Sequence, residues 1–257
     1  MHDHAAARWA TDALWSALAT ALVEHGVPAP AALDRRADYA AVWREPGLVL
    51  SQTCGYPYAA TLRGEVQLVA TPTYRATGCD GARYRSMLVV REGDRAQALA
   101  NLRGRRVAFN ATDSQSGYNA LRAAVAPLAS DGRFFAGTVV TGSHGASADA
   151  VAAGEADLCA IDCVTWAMLG RYEAARVAGL RVIGQTASVP GLPLITGMAG
   201  SLGAVREAVT GVMIDPDLAA VREALLIEGI EILADLDYDA ILAMERQAAA
   251  LGYPALA

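Results

Sequence analysis

The residues best equipped for chemistry sit in two short polar stretches, "NATDSQSG" (Asn110–Gly117) and "TGSHGAS" (Thr141–Ser147). Each places serines where a helix is expected to begin: Ser114 and Ser116 in the first, Ser143 and Ser147 in the second. A helix start carries backbone N–H groups with no intrahelical partner, and the macrodipole adds partial positive charge there. Small hydroxyl residues let an oxyanion approach those amides and add hydrogen bonds of their own. The plainer reading of any one of these serines is a helix N-cap. His144 stands between Ser143 and Gly145 in a chain with only four histidines. An imidazole donates one or two hydrogen bonds and gains a proton near neutral pH beside a doubly charged anion. That suits a phosphate-like group, which has a proton of its own to place; the plainer alternative is a surface histidine in a glycine-flanked loop.

Two more polar turns have the same setting, "SQTCGYPY" (Ser51–Tyr58) and "IDCVT" (Ile161–Thr165). The elements that must position all four alternate in type. Strands are expected over 47–52, 66–70, 84–92, 105–110, 137–142, 157–162, 180–186 and 192–196. Helices are expected over 117–129, 146–156 and 164–172, then around 202–212 and 217–226, and over 238–251. Alternation of this kind predicts an α/β chain with parallel sheet covered by helices. In such a sheet the turns after the strands share the carboxyl edge, where ligands bind. No solenoid repeat interrupts the pattern.

Composition removes several classes of function. The chain has 257 residues, 54% of them hydrophobic and 19% charged, with a formal net charge of -6 and no basic cluster. That leaves no footprint for nucleic acid or an anionic membrane. No apolar run is long enough to span a bilayer. The start, "MHDHAAARWATDALWSALATALVEHG", lacks the pattern of a secretory signal; Leu14, Leu18 and Leu22 recur at helical spacing, so it reads as an amphipathic helix. His2 and His4, with Asp3, sit at the extreme terminus, where mobility is a better reading than a metal site. His25, just before Gly26, reads as a helix C-terminal residue. The glycines of "GLPLITGMAGSLG" lack dinucleotide spacing, and no cofactor motif is present.

Taken together, "SQTCGYPY", "TPTYRATGCDGARYRSMLVV", "NATDSQSGYNALR" and "TGSHGASADAVAAGEADLCAID" resemble the phosphate/phosphite/phosphonate substrate-binding proteins of ABC transporters. This is the phosphonate-binding branch of the type 2 periplasmic binding fold, and the likeness runs along nearly the whole chain. It implies two α/β lobes, each a mostly parallel sheet flanked by helices, joined by two crossing strands around a ligand cleft that closes by hinge motion. Lobe I would comprise residues 1–86 and 190–257, lobe II residues 87–189. Carried over by residue, the resemblance has Ser114, Gln115, Ser116 and His144 hold the oxyanion, while Gln52, Thr53 and Tyr56 close over it from the first lobe. Tyr84 and Asp162 would face the ligand. An acidic Asp162 suits a ligand with an ammonium group or a protonated oxygen. The implied ligand is a small phosphorus oxyanion, the implied partner an ABC permease, and the implied state a monomer. Relatives begin with a strand before the first helix and are normally exported. This chain starts at the turn and shows no signal, so the cytoplasm stands beside the periplasm or cell surface as a compartment.

By the same resemblance Cys54 and Cys79 lie in neighbouring turns, and a disulfide between them would fit an oxidising compartment. Cys159 reads as a buried apolar residue and Cys163 as a helix start, and their spacing lacks the second ligand pair of a zinc site. Two other functions compete with binding for transport. One is an enzyme on this fold, with Cys54 or Cys163 as nucleophile, His144 as base and Asp162 orienting it. The other is a stand-alone ligand-sensing module without a transporter.

Overall fold

A computed structural model describes residues 3–36 and 38–257, so His2 lies outside the described residues. Eleven strands are assigned among the described residues. Those in the first half are β1 (Ser51–Gln52), β2 (Val66–Tyr74), β3 (Arg83–Tyr84), β4 (Ser86–Arg91), β5 (Arg106–Phe109) and β6 (Gly137–Val140). The rest are β7 (Leu158–Asp162), β8 (Leu180–Gln185), β9 (Val189–Pro190), β10 (Leu194–Gly197) and β11 (Ile227–Glu231). The chain divides into two units: residues 1–75, 80–82 and 190–237 form one, and residues 76–79, 83–189 and 238–257 the other.

The first unit is built around β2, whose residues are buried along almost its whole length. Its sheet has the order β1-β10-β2-β11, and every pair in it is antiparallel. This corrects the expectation of a mostly parallel sheet in this lobe: the neighbours of β2 on both sides come from the returning chain and run against it. β11 itself lies outside every expected element. The helix expected over 217–226 stops at Ala224, and Leu226 then takes a φ of +58° before β11 begins. The apolar stripe of the first helix (Arg8–Glu24), Leu14, Leu18 and Leu22 with Trp15, is buried. It packs on the helices Leu202–Ile214 and Ala219–Ala224. The strand expected over 47–52 is only two residues long; upstream, the Leu48 carbonyl accepts from the Gly197 N–H and the Thr196 hydroxyl.

The second unit holds a five-stranded sheet in the order β6-β5-β7-β4-β8. Here β5 runs parallel to β6 and to β7, while β4 is antiparallel to β7 and to β8. All five residues of β7 are buried, as a central strand covered on both faces requires. One face, with Leu88, Val90, Val107, Phe109, Leu158 and Ala160, joins a single core with Tyr118, Leu121 and Val125.

Ala248, Tyr253 and Leu256 enter that same core, which corrects the placement of residues 238–257 in the first lobe. The physical reason is specific. Tyr253 is fully buried, its hydroxyl donates to the Ala257 carbonyl, and that carbonyl accepts from the N–H groups of Phe134 and Phe135 at 2.6 and 2.9 Å. No helix among the described residues is long and apolar enough to cross a membrane.

Candidate functional site

In the second unit the three parallel strands end side by side, and each feeds a helix through a short polar turn. Ser114 caps the turn after β5, its hydroxyl accepting from the Gly117 N–H at 3.0 Å. Ser143 caps the helix His144–Ala152 after β6, accepting from the Ala146 N–H at 3.1 Å. Asp162 ends β7 and caps the helix Cys163–Tyr172, one carboxylate oxygen accepting from the Thr165 N–H at 2.8 Å. Across the antiparallel β4–β7 pair, Ser86 stands opposite Asp162, and its hydroxyl donates to the Ser116 carbonyl at 2.8 Å. The register of the sheet therefore brings Ser86, Ser116, His144 and Asp162 to one place.

His144 is the centre of this group. Its Nε2 lies 2.9 Å from the Ser116 hydroxyl and 3.4 Å from the second carboxylate oxygen of Asp162. The side chains of His144 and Asp162 are only 14% and 4% exposed. Nδ1 of the ring is buried without a hydrogen-bond partner. Nε2 is thus the nitrogen that faces both Ser116 and Asp162. Burial pushes the imidazole below its ordinary value of 6.5, against the opposing pull of the Asp162 carboxylate and the Ala160 carbonyl. The ring is thus neutral at neutral pH, next to an acidic partner and at a helix start.

The backbone that carries Ser116 is wound more widely than an α-helix. Residues Gln115–Asn119 form a π turn, with the Asn119 N–H reaching back to the Ser114 carbonyl. Such turns are rare and are frequently found at functional sites. The α ladder continues over Ala120–Val125 and ends in a 3₁₀ turn that contains Pro127, so the helix expected over 117–129 is three geometries in succession. Gly117 in the π turn has no room for a side chain: a Cβ there would meet Oδ1 of Asn110 at 1.9 Å and Cε1 of His144 at 3.3 Å. Oδ1 of Asn110 is itself buried with no hydrogen-bond partner.

Residues 10–247 match the family described as ABC transporter, phosphonate, periplasmic substrate-binding protein. The chain belongs to this family. No curated protein matches it by sequence. Among solved structures it is similar to PhnD1 from Prochlorococcus marinus in complex with methylphosphonate, with a TM-score of 0.74, 15% identity, and 94% of each chain covered. A binding protein component of an ABC phosphonate transporter from Pseudomonas aeruginosa gives a TM-score of 0.74 at 17% identity, covering 93% of this chain and 82% of that one. A Xanthomonas citri protein bound to chloride ion gives 0.70 at 16% identity, covering 98% and 95%. At these identities the likeness is one of fold, the α/β two-lobed fold of type 2 binding proteins.

Within this phosphonate-binding family member, the expected site residues divide. Ser116, His144 and Asp162 are brought into contact. Ser114 and Ser143 are in place as helix caps, and the buried Ser147 bonds Thr141 and the Ser143 carbonyl within its own turn. The side chain of Gln115 points into the core, holding Asn119 at 2.7 Å and reaching the Met244 sulfur. Tyr84 is buried in β3. In the first unit, Gln52 donates to the Tyr74 hydroxyl and the Leu192 carbonyl, Thr53 is fully buried with its hydroxyl on the Cys54 carbonyl, and Tyr56 is half-buried in the short helix Gly55–Pro57. None of the four cysteines is in a disulfide, and the sulfur facing Cys79 is that of Cys163, at 3.4 Å, which corrects the expected pairing with Cys54. Three further contributors differ in how far the sequence reveals them. Ser86 is visible only through strand register, whereas Asn110 and Gly117 lie inside a polar turn that the sequence does single out.

Proposed function

We propose that this chain is a monomeric solute-binding protein that captures a small phosphorus oxyanion, a phosphate, phosphite or phosphonate, for an ABC-type importer at the periplasmic or cell-surface side. The observation that supports it best is the convergence of Ser116, His144 and Asp162 where the three parallel strands feed their helices. The hydroxyl and the imidazole supply directed hydrogen bonds, and the amides of the first turns supply partial positive charge. Asp162 gives the site its selectivity. A carboxylate repels a fully ionised anion but accepts a hydrogen bond from a P–OH or an ammonium group on the ligand. Sulfate, with no proton near neutral pH, has nothing to offer it. The methylphosphonate complex of a similarly folded protein is in keeping with this class of ligand.

A serine, a histidine and an aspartate in contact also raise a hydrolase. In a working triad the serine and the acid bond opposite nitrogens of the ring, so that the acid fixes the tautomer in which the free nitrogen accepts the serine proton. Here Ser116 and Asp162 approach the same nitrogen, Nε2. The cysteine alternatives are no better placed. Cys163 faces Cys79, and Cys54 belongs to the other unit. The site is arranged to hold an oxyanion, not to activate a nucleophile.

The test is a thermal-shift and calorimetry panel of phosphate, phosphite, methylphosphonate, 2-aminoethylphosphonate, sulfate and acetate. A ligand present at a hundred times its Kd stabilises the native state by about 2.7 kcal/mol, an easily measured shift. At least one phosphorus oxyanion is expected to do so while sulfate does not. Stabilisation by acetate alone, or by none of the panel, overturns the assignment.

A further inference from the structure

We propose that Cys79 and Cys163 form a disulfide that ties the segment Ala76–Cys79 to the first turn of the helix Cys163–Tyr172. Their sulfurs are 3.4 Å apart, although the residues are 84 positions apart in sequence. A disulfide bond is about 2.05 Å long, so a further approach of roughly 1.4 Å completes it. Both ends are held for the purpose. Cys163 is fixed by its N–H on the Arg85 carbonyl, and Cys79 by its N–H on the Ala76 carbonyl at 2.9 Å.

Gly78 is what lets the two meet. Its φ is +104°, and a Cβ there would stand 3.0 Å from both the Cys163 Cβ and the Met87 Cε. Only glycine combines that backbone conformation with so close an approach. The four-residue segment is also unusual in its allegiance. It packs with the second unit although Arg75 before it and Asp80 after it belong to the first. A covalent tie would make that excursion permanent.

The thiol chemistry supports the same pairing. The hydrogen bond from Cys79 holds the Cys163 thiol below its ordinary range, and that bond to Cys163, with burial, pushes Cys79 up. The pair therefore ionises with one proton shared between the sulfurs. Cys79 is the more exposed of the two. Once the shared proton passes to Cys163, the Cys79 thiolate attacks an external disulfide, forms a mixed disulfide and expels one thiolate, which takes a proton from water. Cys163 then loses its proton and attacks the Cys79 sulfur, which expels the second thiol. Two protein thiols are oxidised and one external disulfide is reduced to two thiols.

The experiment equilibrates the intact protein with oxidised glutathione, alkylates remaining thiols under denaturing conditions, and digests without reduction. Cleavage after arginine and before aspartate isolates every cysteine on its own peptide. The expected product joins Ala76–Cys79 to Asp162–Arg171, with Cys54 and Cys159 alkylated. A rise in Tm on the order of 10 °C, reversed by a reductant, should accompany it. The Cys79→Ala variant should melt like the reduced protein and show no rise. Recovery of all four cysteines alkylated, of glutathione left on Cys79, or of Cys79 joined to Cys54 overturns the proposal. The peptide map of the unsubstituted protein decides the pairing even if the variant does not fold.

Discussion

The side-chain oxygen of Asn110 occupies the place where Gly117 would carry its Cβ, 1.9 Å from the ideal position. Gly117 is therefore a requirement of the site and not a concession to flexibility. Its backbone has to pass under Asn110 and beside the His144 ring. Gly117→Ala should cost about 1–3 kcal/mol of stability through overpacking, and should weaken oxyanion binding by shifting His144. Adding Asn110→Ala removes the obstruction and should recover most of the stability. Thermal melts of the two single variants and the double variant measure the coupling. Additive losses would mean that the two residues do not compete for space.

Ser116 is the residue whose hydroxyl faces the imidazole directly. Its carbonyl is independently held by Ser86, so truncating the side chain should leave the π turn in place. Ser116→Ala should cost about 1–3 kcal/mol of ligand binding, which is the range for a hydrogen bond to a charged group in a dry site. Calorimetric Kd values with methylphosphonate or phosphate check this. An unchanged Kd would remove Ser116 from the site.

Burial lowers the pKa of His144 below 6.5 in the folded, ligand-free protein, and the sign of the consequence is fixed. Between the folded value and 6.5 the unfolded chain binds a proton that the native state does not. Stability is therefore full above pH 6.5 and falls as the pH drops through that window. The carboxylates whose values are lowered, Asp3, Asp34 and Asp157, act only below about 4, so the decline that begins at 6.5 starts with the imidazole. Tm measured at small pH steps should decline as the pH falls below about 6.5 in the unsubstituted protein and stay flatter in His144→Asn. A dianion beside the ring should raise its pKa, so saturating ligand should also flatten the decline.

Tyr253 and Leu256 act as part of the second unit's core. Tyr253→Ala should destabilise the protein by about 3–5 kcal/mol, because it empties a fully buried aromatic site and releases the Ala257 carbonyl from its hydroxyl donor. Tyr253→Phe keeps the ring and should recover most of that. Urea unfolding followed by fluorescence distinguishes the two. If alanine were tolerated, the tail would be a passenger.

Much of the second unit is legible in the sequence because its information is local. The runs around Val107, Val139 and Cys159 alternate with helical ones at ordinary spacing, and Ser114, Ser143 and Asp162 mark the turns between them as capping residues do. What is not legible depends on partners distant in the chain. The antiparallel sheet of the first unit follows from β10 and β11 flanking β2, and no local pattern in Val66–Tyr74 states which strands will lie beside it. The allegiance of Tyr253 rests on the backbone of Phe134 and Phe135, and the position of Ser86 on the register between β4 and β7. The serine-rich turns illustrate the limit well. Several serines with the same local signature are candidates for the ligand, and only Ser116 meets His144.

Asp162 is the residue by which the ligand class can be narrowed, because its two carboxylate oxygens do different work. One caps the helix through the Thr165 N–H, and the other faces His144. The substitution Asp162→Asn would retain a capping oxygen, since asparagine serves as an N-cap about as well as aspartate. It therefore removes a charge with little loss of structure. If the carboxylate receives an ammonium group from the ligand, 2-aminoethylphosphonate should lose about 10- to 100-fold in affinity, the range expected for a hydrogen bond to a charged group. Methylphosphonate, whose ionised oxygens can accept from the amide NH2 that then faces the ligand, should lose little. Sulfate, no longer repelled, should begin to bind. An equal loss for both phosphonates would assign Asp162 to the protonated oxygen common to them, and no loss for either would place the carboxylate outside the ligand's reach.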